Sequence, residues 1–126
     1  LVDGAREVME YLHSKYTVYA ASNASMHQQT NRMKKAGLDK YLDGYFVSED
    51  IGFPKPQKEF FDACFKSLPQ EKPQDVVMIG DSLSADIKGA REYGLKTIWY
   101  NHRGESTDGV ECDRIVEKLA DIMTIL

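Results

Sequence analysis

Cysteine is scarce in this chain, and its spacing is uninformative. The 126 residues contain two cysteines, Cys64 and Cys112, which lie far apart without a Cys-x-x-Cys pattern or a histidine at metal-ligand spacing. Neither a zinc site nor a disulfide framework is therefore indicated. This cysteine usage fits a reducing setting, and we expect a cytoplasmic protein.

Excess positive charge and long apolar runs are also lacking. The 16 lysines and arginines are outnumbered by 20 aspartates and glutamates, giving a formal net charge of -4. Nucleic-acid-binding proteins usually carry a basic patch, so nucleic acid is excluded as an expected partner. No apolar run approaches the roughly 20 residues that cross a bilayer, so no membrane partner is expected either. Small dissolved ligands are therefore the class of binding partner that the composition favours.

What the chain does have is an ordinary globular composition with alternating strand and helix patterns. Its 42% hydrophobic and 29% charged residues are enough for one core, and residues 1–126 are predicted to form a single domain. Predicted strands cover residues 16–21, 45–48, 76–79 and 97–100, with a short edge strand at 115–116. Predicted helices cover residues 5–12, 26–36, 57–67 and 83–93, with a final one reaching 126. This alternation predicts an α/β fold with a mainly parallel sheet.

The most informative stretch is residues 76–86, where an apolar β-rich run ends in Gly80-Asp81 and a second acid, Asp86, follows. Ligands of open α/β sheets bind beyond the carboxyl ends of the strands, so both acids point to a site there. Two hard carboxylates favour Mg²⁺. The alternative is that Asp81 only turns the chain and Asp86 is a solvated helix position.

Two further polar positions follow strands or lie in loops: Ser22-Asn23 after the first predicted strand, and Lys55 between two prolines. Taken singly, Ser22 would more often be a helix cap and Lys55 a solvated loop residue. In order and spacing, however, the hydroxyl residue, the lysine and the acidic pair resemble motifs of the haloacid dehalogenase superfamily. The resemblance covers essentially the whole chain.

The resemblance implies a Rossmann-like, three-layer core and a role for each of these residues. Ser22 and the backbone amide of Asn23 would hold the phosphoryl group of the substrate. Lys55 would be catalytic, neutralising charge on the nucleophile and on the phosphoryl group. Asp81 and Asp86 would bind Mg²⁺, which favours the phosphatases of the superfamily over its metal-free dehalogenases.

One motif of the superfamily has no counterpart in this chain. The nucleophile is the first Asp of an Asp-x-Asp motif after the first strand, and nothing before Ser22 matches it, since Asp3-Gly4 follows no apolar strand. The chain begins with Leu1 rather than Met and resembles the later part of a capped core domain. We therefore expect no turnover from the chain alone. The resemblance implies that this first strand lies centrally in the sheet, between the predicted strands that end at residues 21 and 79. The gap left by its absence is expected to close directly, or to be filled by strand complementation or self-association.

The resemblance is strongest to capped phosphatases of small phosphorylated metabolites, including pyrimidine-type 5′-nucleotidases. A phosphatase acting on small phosphate monoesters, among them nucleoside monophosphates, is therefore the predicted function. The alternative is a non-catalytic module that binds phosphate or metal, or a regulatory remnant of such an enzyme. If the residues encoded upstream of Leu1 contain an apolar strand followed by an Asp-x-Asp motif, the enzyme hypothesis is favoured over the non-catalytic module.

Overall fold

The computed structural model describes residues 3–126, in which helices and short parallel strands alternate. The helices are α1 (Ala5–Lys15), α2 (Met26–Ala36), α3 (Ser48–Ile51), α4 (Lys58–Lys66) and α5 (Gly89–Tyr93). The strands are β1 (Tyr19–Ser22), β2 (Gly44–Val47), β3 (Val77–Gly80), β4 (Lys96–Tyr100) and β5 (Arg114–Val116). A π-helical turn covers Leu83–Lys88, and 3₁₀ turns cover Asp39–Tyr41, Pro73–Asp75 and Leu119–Thr124. The predicted α/β class is confirmed.

Every strand pairing in the described residues is parallel. One sheet holds β1 and β2, and the other has the order β3-β4-β5. In register, Ser22 lies opposite Val47 in the first sheet, and Gly80 opposite Trp99 in the second. Parallel pairing brings the carboxyl ends of neighbouring strands to the same edge.

The chain divides into two compact units. One unit runs up to Gly52 and includes Lys118–Leu126, and the other is Phe53–Glu117. β1 and β3 are end strands of separate sheets and are not paired with each other within residues 3–126. The expected direct closure of β1 onto β3 is therefore wrong: β1 pairs with β2, and β3 pairs with β4. Complementation by a further strand stays a prediction, as does the single domain.

Helix α2 shows how local sequence signals set element boundaries. Ser25 is its N-cap, and its hydroxyl accepts a hydrogen bond from the Gln28 backbone N–H at 3.1 Å, while the Gln28 side chain accepts from the Ser25 N–H at 3.1 Å. This reciprocal capping box satisfies two backbone donors that the first turn leaves unpaired. Gly37 ends the helix at φ 72°, a conformation that favours glycine. The predicted helix over residues 26–36 is confirmed at both ends.

Other predicted elements differ in type rather than in place. The predicted helix over residues 83–93 starts as the π-helical turn and becomes α-helical from Gly89. The predicted final helix is a 3₁₀ turn, Leu119–Thr124. Apolar periodicity marks which face is buried, and it does not distinguish these tighter or wider windings from an α-helix.

The first unit buries an apolar face of α1. Val8 and Leu12 of α1 are 4% and 7% exposed, and Ile122 of the last 3₁₀ turn is 1% exposed. α1 and this turn contact each other, and the Lys15 ammonium donates to the Leu126 carbonyl at 2.6 Å. The helix is therefore held at its C-terminal end as well as along its buried face.

The second unit buries aromatic side chains of α4 together with β4. Phe60 and Phe61 are 0% and 1% exposed, and Trp99 is 2% exposed. Cys64 of α4 lies in the same core, where burial raises the pKa of its thiol to about 12. The thiol is therefore protonated at neutral pH, so this cysteine is a core residue rather than a nucleophile.

None of the helices in the described part of the chain is long and apolar enough to span a bilayer.

Asp113 connects the loop that follows β4 to the beginning of β4 through hydrogen bonds. Its carboxylate accepts the Thr97 backbone N–H at 2.8 Å and the Thr97 hydroxyl at 3.3 Å, and it forms an ion pair with Arg91 at 3.0 Å. Thr97 is 0% exposed, so its N–H needs this acceptor. The hydrogen bond from the Thr97 backbone, followed by the nearby Arg91 charge, lowers the pKa of Asp113.

The substitution Asp113→Asn is expected to make the free energy of unfolding depend less on pH in the acid range. Because the folded pKa of Asp113 lies below its unfolded value of roughly 3.9, the carboxylate stabilises the fold above that pH and loses this effect as pH falls through both values. The neutral amide should cost about 1 kcal/mol at pH 7, given the half-exposed site. Urea unfolding at pH 7 and pH 3 measures this difference. Asp108→Asn, in the same loop, is the control, and an equal loss at both pH values for Asp113→Asn would contradict the linkage.

Candidate functional site

Asp81 directly follows β3, at the carboxyl end of the second sheet. Its backbone carbonyl accepts a hydrogen bond from the indole N–H of buried Trp99 at 3.0 Å, which fixes the main chain at this position. The carboxylate remains half exposed, at 51%, and its Oδ2 lies 3.4 Å from Nε2 of His102. Asp81 is therefore held at the backbone while its side chain can meet a ligand from solvent.

Asp86 lies in the π-helical turn that follows and is only 7% exposed. Ser82 starts this turn, and its hydroxyl accepts the Ala85 N–H at 3.1 Å. The Ser82 N–H in turn donates to Asp86 Oδ2 at 3.3 Å. The Ile87 N–H bonds the Ser82 carbonyl five residues back at 3.2 Å, the spacing that defines the π winding. This winding turns the Asp86 side chain back towards the end of β3.

Lys55 reaches Asp86 from a loop far away in sequence. Its ammonium lies 2.6 Å from Asp86 Oδ1, and the two side chains are 10% and 11% exposed. A buried charge is costly unless it is paired and hydrogen-bonded, and here each group supplies the other's partner. The structure therefore brings together two of the predicted site residues, Lys55 and Asp86, and rejects a solvated position for either.

Two glycines make this approach possible. A Cβ placed on Gly80 would collide with Asp86 Oδ2 and would lie 2.6 Å from Asp86 Cβ and Cγ. A Cβ on Gly89 would lie 2.5 Å from the Cβ of Pro56 and 3.0 Å from its carbonyl oxygen. Gly80 thus leaves room for the carboxylate, and Gly89 leaves room for the loop that carries Lys55.

Ser22 and Asn23 lie in the first unit, at and just beyond the end of β1. The Ser22 hydroxyl accepts the Ala24 N–H at 3.0 Å and so tightens the turn that leads to α2. The cap of α2 is Ser25, so the alternative interpretation of Ser22 as a helix cap is wrong. Their proposed contact with a phosphoryl group stays a prediction, as do the roles of Lys55 and the two acids.

The sequence reasoning missed Gly80 and Gly89 as spacers, and it missed His102 near Asp81. His102 could have been found, because it lies just beyond the carboxyl end of β4, at the edge of the sheet where ligands collect. The close contacts at Gly80 and Gly89 could not have been found from the sequence, because they depend on which other part of the folded chain packs against each glycine.

Alanine at Gly80 or at Gly89 is expected to destabilise the protein by roughly 1–3 kcal/mol, the usual cost of forcing extra atoms into a packed site. At Gly89 the expected loss opposes helix propensity, which by itself would make alanine more stable than glycine by about 1 kcal/mol. Whether Gly89→Ala lowers or raises the free energy of unfolding therefore tests the contact with Pro56. Denaturant unfolding measures both changes. Lys88→Ala, on the exposed side of the same segment, should stay within about 0.5 kcal/mol of the parent. A stabilised Gly89→Ala variant would show that the loop does not depend on this close approach.

Comparison with known proteins shows the family of this chain. The sequence model of the haloacid dehalogenase-like hydrolases matches residues 1–94. The Bacillus subtilis protein YfnB is 42% identical over 101 residues, which are 80% of this chain and 43% of YfnB. The pyrimidine 5′-nucleotidase PynA of Streptococcus pneumoniae is 36% identical over 101 residues, 79% of this chain and 43% of PynA.

The solved structures agree with the sequence matches. The crystal structure of YfnB bound to magnesium superposes with a TM-score of 0.94 at 36% identity, covering 100% of this chain and 55% of that chain. The chain thus spans about half the length of the relatives it matches. Because the family model matches most of the chain and the fold agrees over its whole length, the chain belongs to the haloacid dehalogenase-like hydrolases.

Proposed function

We propose that the protein containing this chain hydrolyses phosphate monoesters of small metabolites, with Mg²⁺ as its cofactor. The observation that carries this proposal is the buried pair of Lys55 and Asp86 beside Asp81, at the carboxyl end of β3. This pair supports a ligand site there, because α/β proteins bind their ligands beyond the carboxyl ends of the strands.

The donor set fits magnesium. Mg²⁺ prefers oxygen ligands, keeps several waters and is commonly held by one or two carboxylates together with substrate phosphate. Within residues 3–126 no cluster of three or more acidic, histidine or cysteine side chains could hold a metal, so this chain would supply the two-carboxylate kind of site. The half-exposed Asp81 would ligate the ion directly, whereas Asp86, with Lys55 on Oδ1 and the Ser82 N–H on Oδ2, would act on it less directly.

Each residue has a distinct task in this proposal. Phosphoryl transfer depends on positioning and on stabilising charge at the phosphoryl oxygens. Lys55 would place a positive charge there, held in position by Asp86. In the first unit, Ser22 would donate its hydroxyl, and Asn23 its backbone N–H, to a phosphoryl group. Bound Mg²⁺ would supply further positive charge at the phosphate.

The chain supplies these charges and donors, and the attacking carboxylate is the part we do not assign to it. The family resemblance implies an Asp nucleophile after a first strand, and no Asp-x-Asp motif precedes Ser22 here. We propose that a segment of the protein outside these 126 residues provides it. β3 is an end strand of its sheet and would offer that segment backbone partners.

The comparisons support the reaction class and a substrate class. PynA is a pyrimidine 5′-nucleotidase, and other matched relatives are phosphatases of small phosphorylated molecules. Nucleoside monophosphates are the substrates we propose first, and phosphorylated sugars or acids second.

The whole protein should release phosphate from a pyrimidine nucleoside monophosphate in the presence of Mg²⁺ and lose this activity in excess chelator. Restoring Mg²⁺ should restore the rate, because the proposed ion neutralises charge that develops on the phosphoryl group. Phosphate release with and without chelator is the measurement. Equal rates in both conditions would refute the metal dependence, and binding of phosphate without any hydrolysis would favour the non-catalytic module.

Lys55→Ala should lower kcat roughly 100- to 1,000-fold, the loss typical of removing one preorganised charge-stabilising donor. The matched control is Lys58→Ala, because Lys58 is 74% exposed and forms only a surface pair with Asp62. Saturating substrate and Mg²⁺ separate the loss in kcat from weaker binding. Turnover of Lys55→Ala equal to that of Lys58→Ala would remove Lys55 from the proposed site.

A further inference from the structure

The end of β4 contacts Asp81 twice, once at its backbone and once at its carboxylate. Trp99, 2% exposed, donates its indole N–H to the Asp81 carbonyl. His102, three positions further along the chain, brings Nε2 to 3.4 Å from Asp81 Oδ2. The first contact fixes the main chain of Asp81, and the second meets the group proposed to bind the metal ion.

The His102 ring is itself held in place. It stacks on the Tyr100 ring, with centroids 4.8 Å apart and planes inclined by 28°. Tyr100 belongs to β4, so the stack ties His102 to the sheet rather than to a mobile side chain. Stacking of this kind is a favoured arrangement of two rings and restricts the rotation of the imidazole.

The backbone around His102 is closed by its neighbours. The Asn101 side chain donates to the Glu105 carbonyl and accepts the Glu105 N–H, both at 2.9 Å. The Asn101 N–H donates to the Val116 carbonyl at 2.8 Å and so continues the pairing with β5. The turn that carries His102 is therefore anchored on both sides.

We propose that His102 is a positioning residue that holds the Asp81 carboxylate in the orientation that binds Mg²⁺, with Tyr100 fixing the imidazole. The inference rests on the proposed function. A half-exposed carboxylate has rotamer freedom that it must lose on binding an ion, and a neighbouring hydrogen-bonding group reduces that loss by orienting it beforehand. His102 acts through Asp81, since imidazole nitrogen is a poor ligand for Mg²⁺ compared with oxygen.

His102→Ala should weaken Mg²⁺ binding by about 10-fold, the lower end of the effect expected for a residue that orients a metal ligand. Calorimetric titration of Mg²⁺ into the whole protein, without substrate, measures this directly. In steady-state assays the Mg²⁺ concentration for half-maximal rate should rise by the same factor, while kcat at saturating Mg²⁺ stays near that of the parent. Such a split indicates a lost orientation and not a lost reacting group.

Matched variants separate positioning from general disturbance. His13→Ala is the control, because His13 also packs its ring on a tyrosine, Tyr41, at 6.0 Å, but lies in α1. Tyr100→Phe keeps the stacking ring and should bind Mg²⁺ like the parent, whereas Tyr100→Leu should weaken binding as His102→Ala does. The double variant His102→Ala/Tyr100→Leu should bind Mg²⁺ no more weakly than either single variant, because both substitutions remove the same interaction, the orientation of Asp81 by the imidazole.

Asp81→Asn distinguishes the two proposals. If Asp81→Asn weakens Mg²⁺ binding while His102→Ala and Tyr100→Leu leave it unchanged, the positioning role is wrong and the proposed function stands. If Asp81→Asn also leaves Mg²⁺ binding unchanged, both fail. A raised KM for substrate with unchanged Mg²⁺ affinity in His102→Ala would likewise overturn the inference, since it would place His102 against the substrate.

Discussion

The buried ion pair between Lys55 and Asp86 is the constraint on which the second unit of this protein depends. Both side chains are about nine-tenths buried, and the charges are 2.6 Å apart. Either group left alone would carry an uncompensated charge away from water, which typically costs 3–5 kcal/mol. The loop of Lys55 and the turn of Asp86 must therefore arrive together, and the surrounding backbone is arranged to let them.

That arrangement depends on glycines, which have no side chain, as much as on the charged residues. Gly80 leaves room at the end of β3 for the Asp86 carboxylate, and Gly89 lets Pro56 approach the segment that follows. The π winding that starts at Ser82 directs Asp86 back towards the strand. Asp81 follows the same strand end, so one short stretch of chain holds one acid half exposed and the other buried against a lysine.

Family membership and the site geometry answer different questions. The match to haloacid dehalogenase-like hydrolases covers residues 1–94 and establishes the family, and the fold agrees with YfnB over the whole chain. The matched relatives are about twice as long, so their activities inform the proposals made for the whole protein. What the second unit contributes is seen in its own contacts: a buried pair of Lys55 and Asp86, and the half-exposed carboxylate of Asp81 at the end of β3.

The sequence by itself determined the α/β class, the order of strands and helices, and the ends of α2, because these follow from apolar periodicity and from capping residues a few positions apart. It also named Lys55, Asp81 and Asp86, through motif order. Only the tertiary structure decided that Lys55 pairs with Asp86 across 31 positions, and that His102 meets Asp81 across 21. It also decided the π winding. Those features depend on which distant backbone segments touch, and side-chain contacts at that range leave no periodic or local mark in the sequence.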